Sequence, residues 1–381
     1  MKWNFWYHTC HIRRVCHEEC VMAPTIVVRW FGPKDDHVPL QWIRQVPGVE
    51  GVVSALFDIP VGEVWPKGRI EELKSLICSH GLSFEVVESV NVHEDIKLGL
   101  PSRDRYIENY ILTLRNLASV GVKVVCYNFM PVFDWIRTDL AYTLDDGSST
   151  MAYDRRLLEG KGVEDLVSAM FGQSKGFSLP GWEPERLAAV RSTIEQYRAM
   201  GEDELFDNLR YFLSAVVPEC ERLGIRMAIH PDDPPWGVFG LPRIVTTEEN
   251  ILRILALVDS PANSCALCTG SLAARSDNDV ARIIRRVGER GRLAFVHLRN
   301  LKKQGEGIFY ESAHPSFCGS LDMYELVAAL HGIGFDGYLR PDHGRHIWGE
   351  EGRPGYGFYD RALGIAYILG LWEGIEKSAS R

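Results

Sequence analysis

The sequence has no surplus of basic residues: 42 Lys and Arg stand against 51 Asp and Glu, for a formal charge of -9. Duplex nucleic acid is held mainly through clustered cations, and no such cluster is present, so no nucleic-acid partner is expected. There is also no apolar run near the ~20 residues that a membrane-spanning helix needs, so no bilayer is expected either. The nine cysteines do not form a paired framework. Most, such as Cys78, Cys126 and Cys220, stand alone in apolar stretches, the pattern of buried thiols in a reducing compartment, and the cytoplasm is the expected location. No GxGxxG follows the first strand and no P-loop is found, which argues against a doubly wound dinucleotide fold.

The first 21 residues differ in kind. They crowd His8, Cys10, His11, Cys16, His17 and Cys20 together without an apolar signal core. Their spacings give no two clean CxxC or HxxxH pairs, so residues 1–21 are read as a disordered leader or a start-site extension ahead of Met22. Residues 22–381 are read as the catalytic domain.

From Thr25 onward apolar segments of strand length alternate with helical periodicity. Strands are expected at 25–31, 51–57, 82–90 and 122–129, then in segments ending at His230, Cys268, His297 and Asp342. Helical patterns stand between them, as in Arg105 to Ala118 and Glu202 to Arg222. About eight strand-helix units in succession predict a single-domain α/β (β/α)8 TIM barrel. The one long excursion, from Met130 to about Trp182, follows the fourth strand and is expected to form a lid.

In such a barrel all strand carboxyl ends meet at one face, so residues far apart in sequence converge. Four successive strands stop on His230, Cys268, His297 and Asp342. Two imidazoles, a thiolate and a carboxylate suit a divalent transition ion better than magnesium, because soft donors select such ions. His343 follows Asp342, and Tyr356 lies in the glycine-rich RPGYGFYD loop. An imidazole and a phenol can serve as base and acid for proton transfer. Arg299 and Arg345 are candidates to pair with a substrate carboxylate.

At this point the sequence resembles the mannonate dehydratase family. The resemblance rests on FDIPVGEVWP (57–66), VHEDIKLGLPSRDRYIENY (92–110), MAIHPDDPPWGVFGLPRI (227–244), LCTGSL (267–272), FVHLRN (295–300), RPDHGR (340–345) and RPGYGFYDRALG (353–364). It covers nearly everything after Met22. It implies a barrel related to xylose isomerases, Mn2+ or Fe2+ as cofactor, and dehydration of the sugar acid D-mannonate to 2-dehydro-3-deoxy-D-gluconate in glucuronate breakdown. Carried over motif by motif, it implies His230, Cys268, His297 and Asp342 as metal ligands and His343 with Tyr356 as the catalytic pair. A homo-oligomer is compatible with this reading. The alternative is a metal-dependent sugar or sugar-acid isomerase or epimerase on the same barrel, whose product would be isomeric with its substrate.

Overall fold

The structure, a computed structural model, describes residues 23–174, 176–177 and 190–379. The His/Cys-rich leader lies outside the described residues. Eight parallel strands close into a barrel: β1 (Thr25–Arg29), β2 (Val49–Ser54), β3 (Ser83–Glu88), β4 (Val124–Tyr127), β7 (Arg226–Ile229), β8 (Asn263–Cys268), β9 (Leu293–His297) and β12 (Tyr338–Arg340). The expected (β/α)8 barrel is thus the observed fold. The strands run shorter than their apolar segments because the flanking residues belong to the turns.

Alternation along each strand builds two apolar layers. Val27, Val53, Val86, Val124, Ala228 and Ala266 fill the barrel interior. Their neighbours Val28, Val52, Val87, Val125, Met227 and Leu267 face outward onto the helices. The helix Glu202–Leu223 shows how one element is set. Glu202, Asp203 and Glu204 place negative charge in its first turn, where the helix dipole favours it. Leu205, Leu209, Phe212, Leu213 and Val216 form its buried stripe, and Gly224, at φ 68°, ends it in a left-handed turn. The chain then enters β7, which delivers His230 one residue beyond its end.

The excursion after the fourth strand is more structured than a simple lid. It contributes β5 (Asp139–Thr143), β6 (Ser149–Asp154) and the helix Val163–Gln173. Its strands join a hairpin that the sequence reading did not anticipate, β10 (Leu301–Gly305) and β11 (Ile308–Glu311), inserted after β9. The four form an antiparallel sheet in the order β10-β11-β6-β5. The sequence LKKQG gives β10 little apolar alternation, which is why it reads as loop. The sheet has its own core, in which Met151, Tyr153, Leu301 and Phe309 pack with Val132, Phe133 and Ile136 from the loop after β4 and with Val238 and Leu241 from the loop after β7. This packing fixes the small sheet to the carboxyl-end face of the barrel.

Candidate metal centre

Strand register places the donors. Cys268 pairs with His297, and His297 with Arg340, so the last residues of β8, β9 and β12 stand side by side. His230, Cys268 and His297 each present one donor atom, and the three atoms lie within 4.8 Å of one another. Asp342, two residues past β12, has φ 62°, a left-handed conformation that aspartate tolerates better than most side chains. Its Oδ2 accepts from Cys268 Sγ at 3.5 Å, and its Oδ1 lies 3.8 Å from His297 Nδ1. Cys268 and His297 are fully buried and Asp342 nearly so.

The imidazoles are oriented by their outer nitrogens. His230 Nδ1 lies 2.6 Å from the Pro231 carbonyl oxygen, which can only accept, so Nδ1 carries the proton. His297 Nε2 lies 3.3 Å from a Glu88 oxygen, and Arg340 Nη2 lies 3.3 Å from His297 Nδ1, so Nδ1 serves as acceptor. The inner nitrogens, His230 Nε2 and His297 Nδ1, are therefore both lone-pair donors, and they sit only 3.0 Å apart. With a thiol and a carboxylate beside them, these residues fit a divalent transition ion. Glu88, Cys126 and His297 form a second group of close donors, but Arg29 and Arg340 lie 3.2 and 3.0 Å from the Glu88 carboxylate. That group is an ion-pair network that holds His297.

A second buried network supports the carboxylate and thiol. Arg299, buried at 1% exposure, has its Nε 2.7 Å from Asp342 Oδ2 and 3.3 Å from Cys268 Sγ. Its other nitrogens donate to Glu311, to Asp233 at 2.9 Å and to Ser271 at 3.1 Å. Arg137, also sealed, donates to both oxygens of Asp233 at 2.8 and 2.9 Å and to Glu311. Burial would raise the Glu311 carboxyl, but Arg299 and Arg137 outweigh it and hold the group well below the usual carboxylate range. Glu311 in turn lies 3.2 Å from His343 Nδ1, so β11 of the small sheet reaches the residue beside Asp342.

Tyr356 is buried at 9% exposure, its ring edge-on to His343 at 5.3 Å and to Phe31 at 4.8 Å. Burial raises its hydroxyl pKa against the pull of Arg340 and Arg29, which keeps it protonated at neutral pH. The structure thus brings six sequence-predicted residues together: His230, Cys268, His297, Asp342, His343 and Tyr356. Arg299 lies against the ligand group with its donors taken by protein partners. Arg345 is tied elsewhere, to Asp360 through Nε and Nη2 and to Asp146 through Nη1. Glu88, Arg137, Asp233, Glu311 and Arg340 are additional members of the site.

A closed parallel barrel with nitrogen, sulfur and carboxylate donors at four neighbouring strand ends defines the class of (β/α)8 enzymes that work at the carboxyl-end face. Comparison with known proteins narrows the class. The sequence profile of D-mannonate dehydratase (UxuA) matches residues 24–381, and this chain belongs to that family. It is 61% identical to the mannonate dehydratase of Thermotoga petrophila over 356 residues, 93% of this chain and 99% of the relative. It is 56% identical to that of Geobacillus thermodenitrificans, covering 91% and 94% of the two chains. The crystal structure of mannonate dehydratase from Streptococcus suis serotype 2 superposes with a TM-score of 0.85 at 43% identity, covering 94% of this chain and 97% of the other. An L-ribulose 3-epimerase structure at 12% identity and TM-score 0.52 shares the fold alone.

Proposed function

We propose that this chain dehydrates D-mannonate to 2-dehydro-3-deoxy-D-gluconate and water. The observation that carries the proposal is the convergence of His230, Cys268 and His297 within 4.8 Å, with Asp342 adjoining them and His343 and Tyr356 beside it. His230, Cys268, His297 and Asp342 would hold the family's metal, for which we propose Mn2+ or Fe2+. When bound, the ion supplies electrophilic stabilisation for negative charge developing beside the substrate carboxylate.

The chain's own residues then divide the proton traffic. The Glu311 carboxylate stands 3.2 Å from His343 Nδ1, a charge contact that favours the proton on Nδ1 and leaves Nε2 as the basic nitrogen. His343 is accordingly assigned the removal of the C2 proton. Tyr356, kept protonated by burial, is assigned delivery of a proton to the departing C3 hydroxyl. We assign Arg299 a positioning role on Cys268 and Asp342, and Arg345 a role in holding the loop before Tyr356 to Asp360 and to the β5-β6 turn. Among the described residues no helix is long and apolar enough to cross a membrane. The free thiols of Cys126, Cys220, Cys265 and Cys268 support a cytoplasmic placement in glucuronate breakdown.

Mass spectrometry of the product from D-mannonate tests the reaction. Loss of one water with appearance of a 2-keto acid is expected. A rearranged product of unchanged mass would overturn the proposal in favour of an isomerase.

A further inference from the structure

The arginines at the barrel mouth differ in what remains open to a ligand. Arg299, after β9, has every side-chain nitrogen engaged by protein partners. Arg340, at the end of β12, is held between Glu88 and Asp342 through Nη2, while its Nε and Nη1 are buried without a hydrogen-bond partner. Arg29, the last residue of β1, is different. It is 4% exposed, its Nε is buried without a hydrogen-bond partner, and among the described residues neither Nη1 nor Nη2 makes a hydrogen bond. Among the described residues its ion pair is Nη1 to Glu88 at 3.2 Å, a carboxylate shared with Arg340 and His297, so the charge of Arg29 is only partly balanced.

The surroundings fix the guanidinium. Phe31 and Phe57 lie 4.9 and 5.4 Å from its Cζ, which restricts its rotation and excludes water from its faces. The Phe31 ring also packs edge-on against Tyr356 at 4.8 Å. A buried planar fork whose Nη1 meets a carboxylate shared with Arg340 and His297, and whose Nη2 has no acceptor among the described residues, stands beside the residue assigned to the C3 hydroxyl and matches a carboxylate oxygen.

We infer that Arg29 receives the substrate's carboxylate, making it the residue that selects an aldonate over a neutral polyol. The inference rests on the dehydratase reading for the identity of the substrate. It adds a recognition site at β1, on the far side of the barrel closure from β7.

Calorimetry on the metal-loaded protein tests it with two ligands that differ only at C1, D-mannonate and the neutral D-mannonamide. In Arg29→Gln, affinity for D-mannonate is expected to fall roughly ten- to hundredfold, as befits loss of a charge-assisted pair. Affinity for D-mannonamide should change less than about threefold, the scatter for a contact not made. Arg29→Lys, which keeps the charge without the fork, should fall between wild type and Arg29→Gln for D-mannonate and serves if the Gln variant fails to fold. An equal loss for both ligands, or no loss for D-mannonate, would overturn the inference. Because binding is read directly, a wild-type protein that binds D-mannonate through Arg29 but does not turn it over would sink the dehydratase reading alone.

Discussion

A Cβ placed on Gly270 would stand 2.7 Å from both Cζ and Nη1 of Arg299 and 2.8 Å from its Nε. Gly270 is the second residue after the ligand candidate Cys268, in the short helix Thr269–Ala273. Arg299 cannot retreat easily, because Glu311, Asp233 and Asp342 hold it from three sides. The missing side chain at 270 is therefore what lets the guanidinium reach Cys268 and Asp342.

Gly270→Ala should displace Arg299 without removing any ligand candidate. Turnover of D-mannonate is expected to fall at least about tenfold, as for other disturbed metal-site supports. Metal affinity should fall with it, read by titration of the chelated protein. A Gly270→Ala enzyme with wild-type turnover and metal affinity would show that Arg299 has no positioning role.

Phe212 tests the packing that carries β7. It is completely buried in the helix Glu202–Leu223, with ring contacts to Tyr110 at 5.0 Å, Tyr127 at 6.0 Å and Phe129 at 6.2 Å. Phe212→Ala removes a full aromatic side chain from a close-packed layer and should cost about 3–5 kcal/mol in chemical denaturation. A loss below about 1 kcal/mol would mean that the layer collapses around the gap.

Acid should unfold the metal-free protein through its buried carboxylates. Burial pushes the Asp233 carboxyl up, but Arg137 and Arg299 more than reverse this and leave it below its ordinary value; Glu311 behaves likewise. A group whose pKa is lower in the folded than in the unfolded chain stabilises the fold above the unfolded value and loses that contribution as pH falls. The thermal midpoint, measured in chelator, should change little from about pH 7 to 5 and fall steeply below about 4. A midpoint that held or rose toward pH 3 would contradict the sign of both shifts.

The barrel was legible in the sequence because its strands are short apolar runs stopped by polar residues. The same feature marked His230, Cys268, His297 and Asp342. It also stands at Arg29 in TIVVR and at Glu88 in SFEVVE, where the stopping residue is a charge with no metal preference of its own. Glu311 and Arg137 carried no such mark. Arg137 sits in the loop before β5, and Glu311 ends a four-residue strand that exists only through pairing with β6 and β10. Their roles arise from a sheet assembled across some 170 residues of chain, as the Arg137 to Glu311 separation of 174 shows, and a local pattern does not report such a pairing. Arg345 illustrates the converse. Its neighbourhood in RPDHGR suggested a substrate contact, whereas its guanidinium is shared between Asp360 and Asp146.

The central claim is that dehydration depends on an ion held by His230, Cys268, His297 and Asp342. The most direct test is to strip the purified protein with chelator, titrate Mn2+ back, and follow bound metal and formation of the 2-keto acid from D-mannonate in the same samples. The account predicts that activity rises in step with occupancy and saturates at about one ion per chain, and that Cys268→Ala abolishes both together. Full turnover at negligible bound metal, or full metal occupancy and turnover in Cys268→Ala, would contradict it.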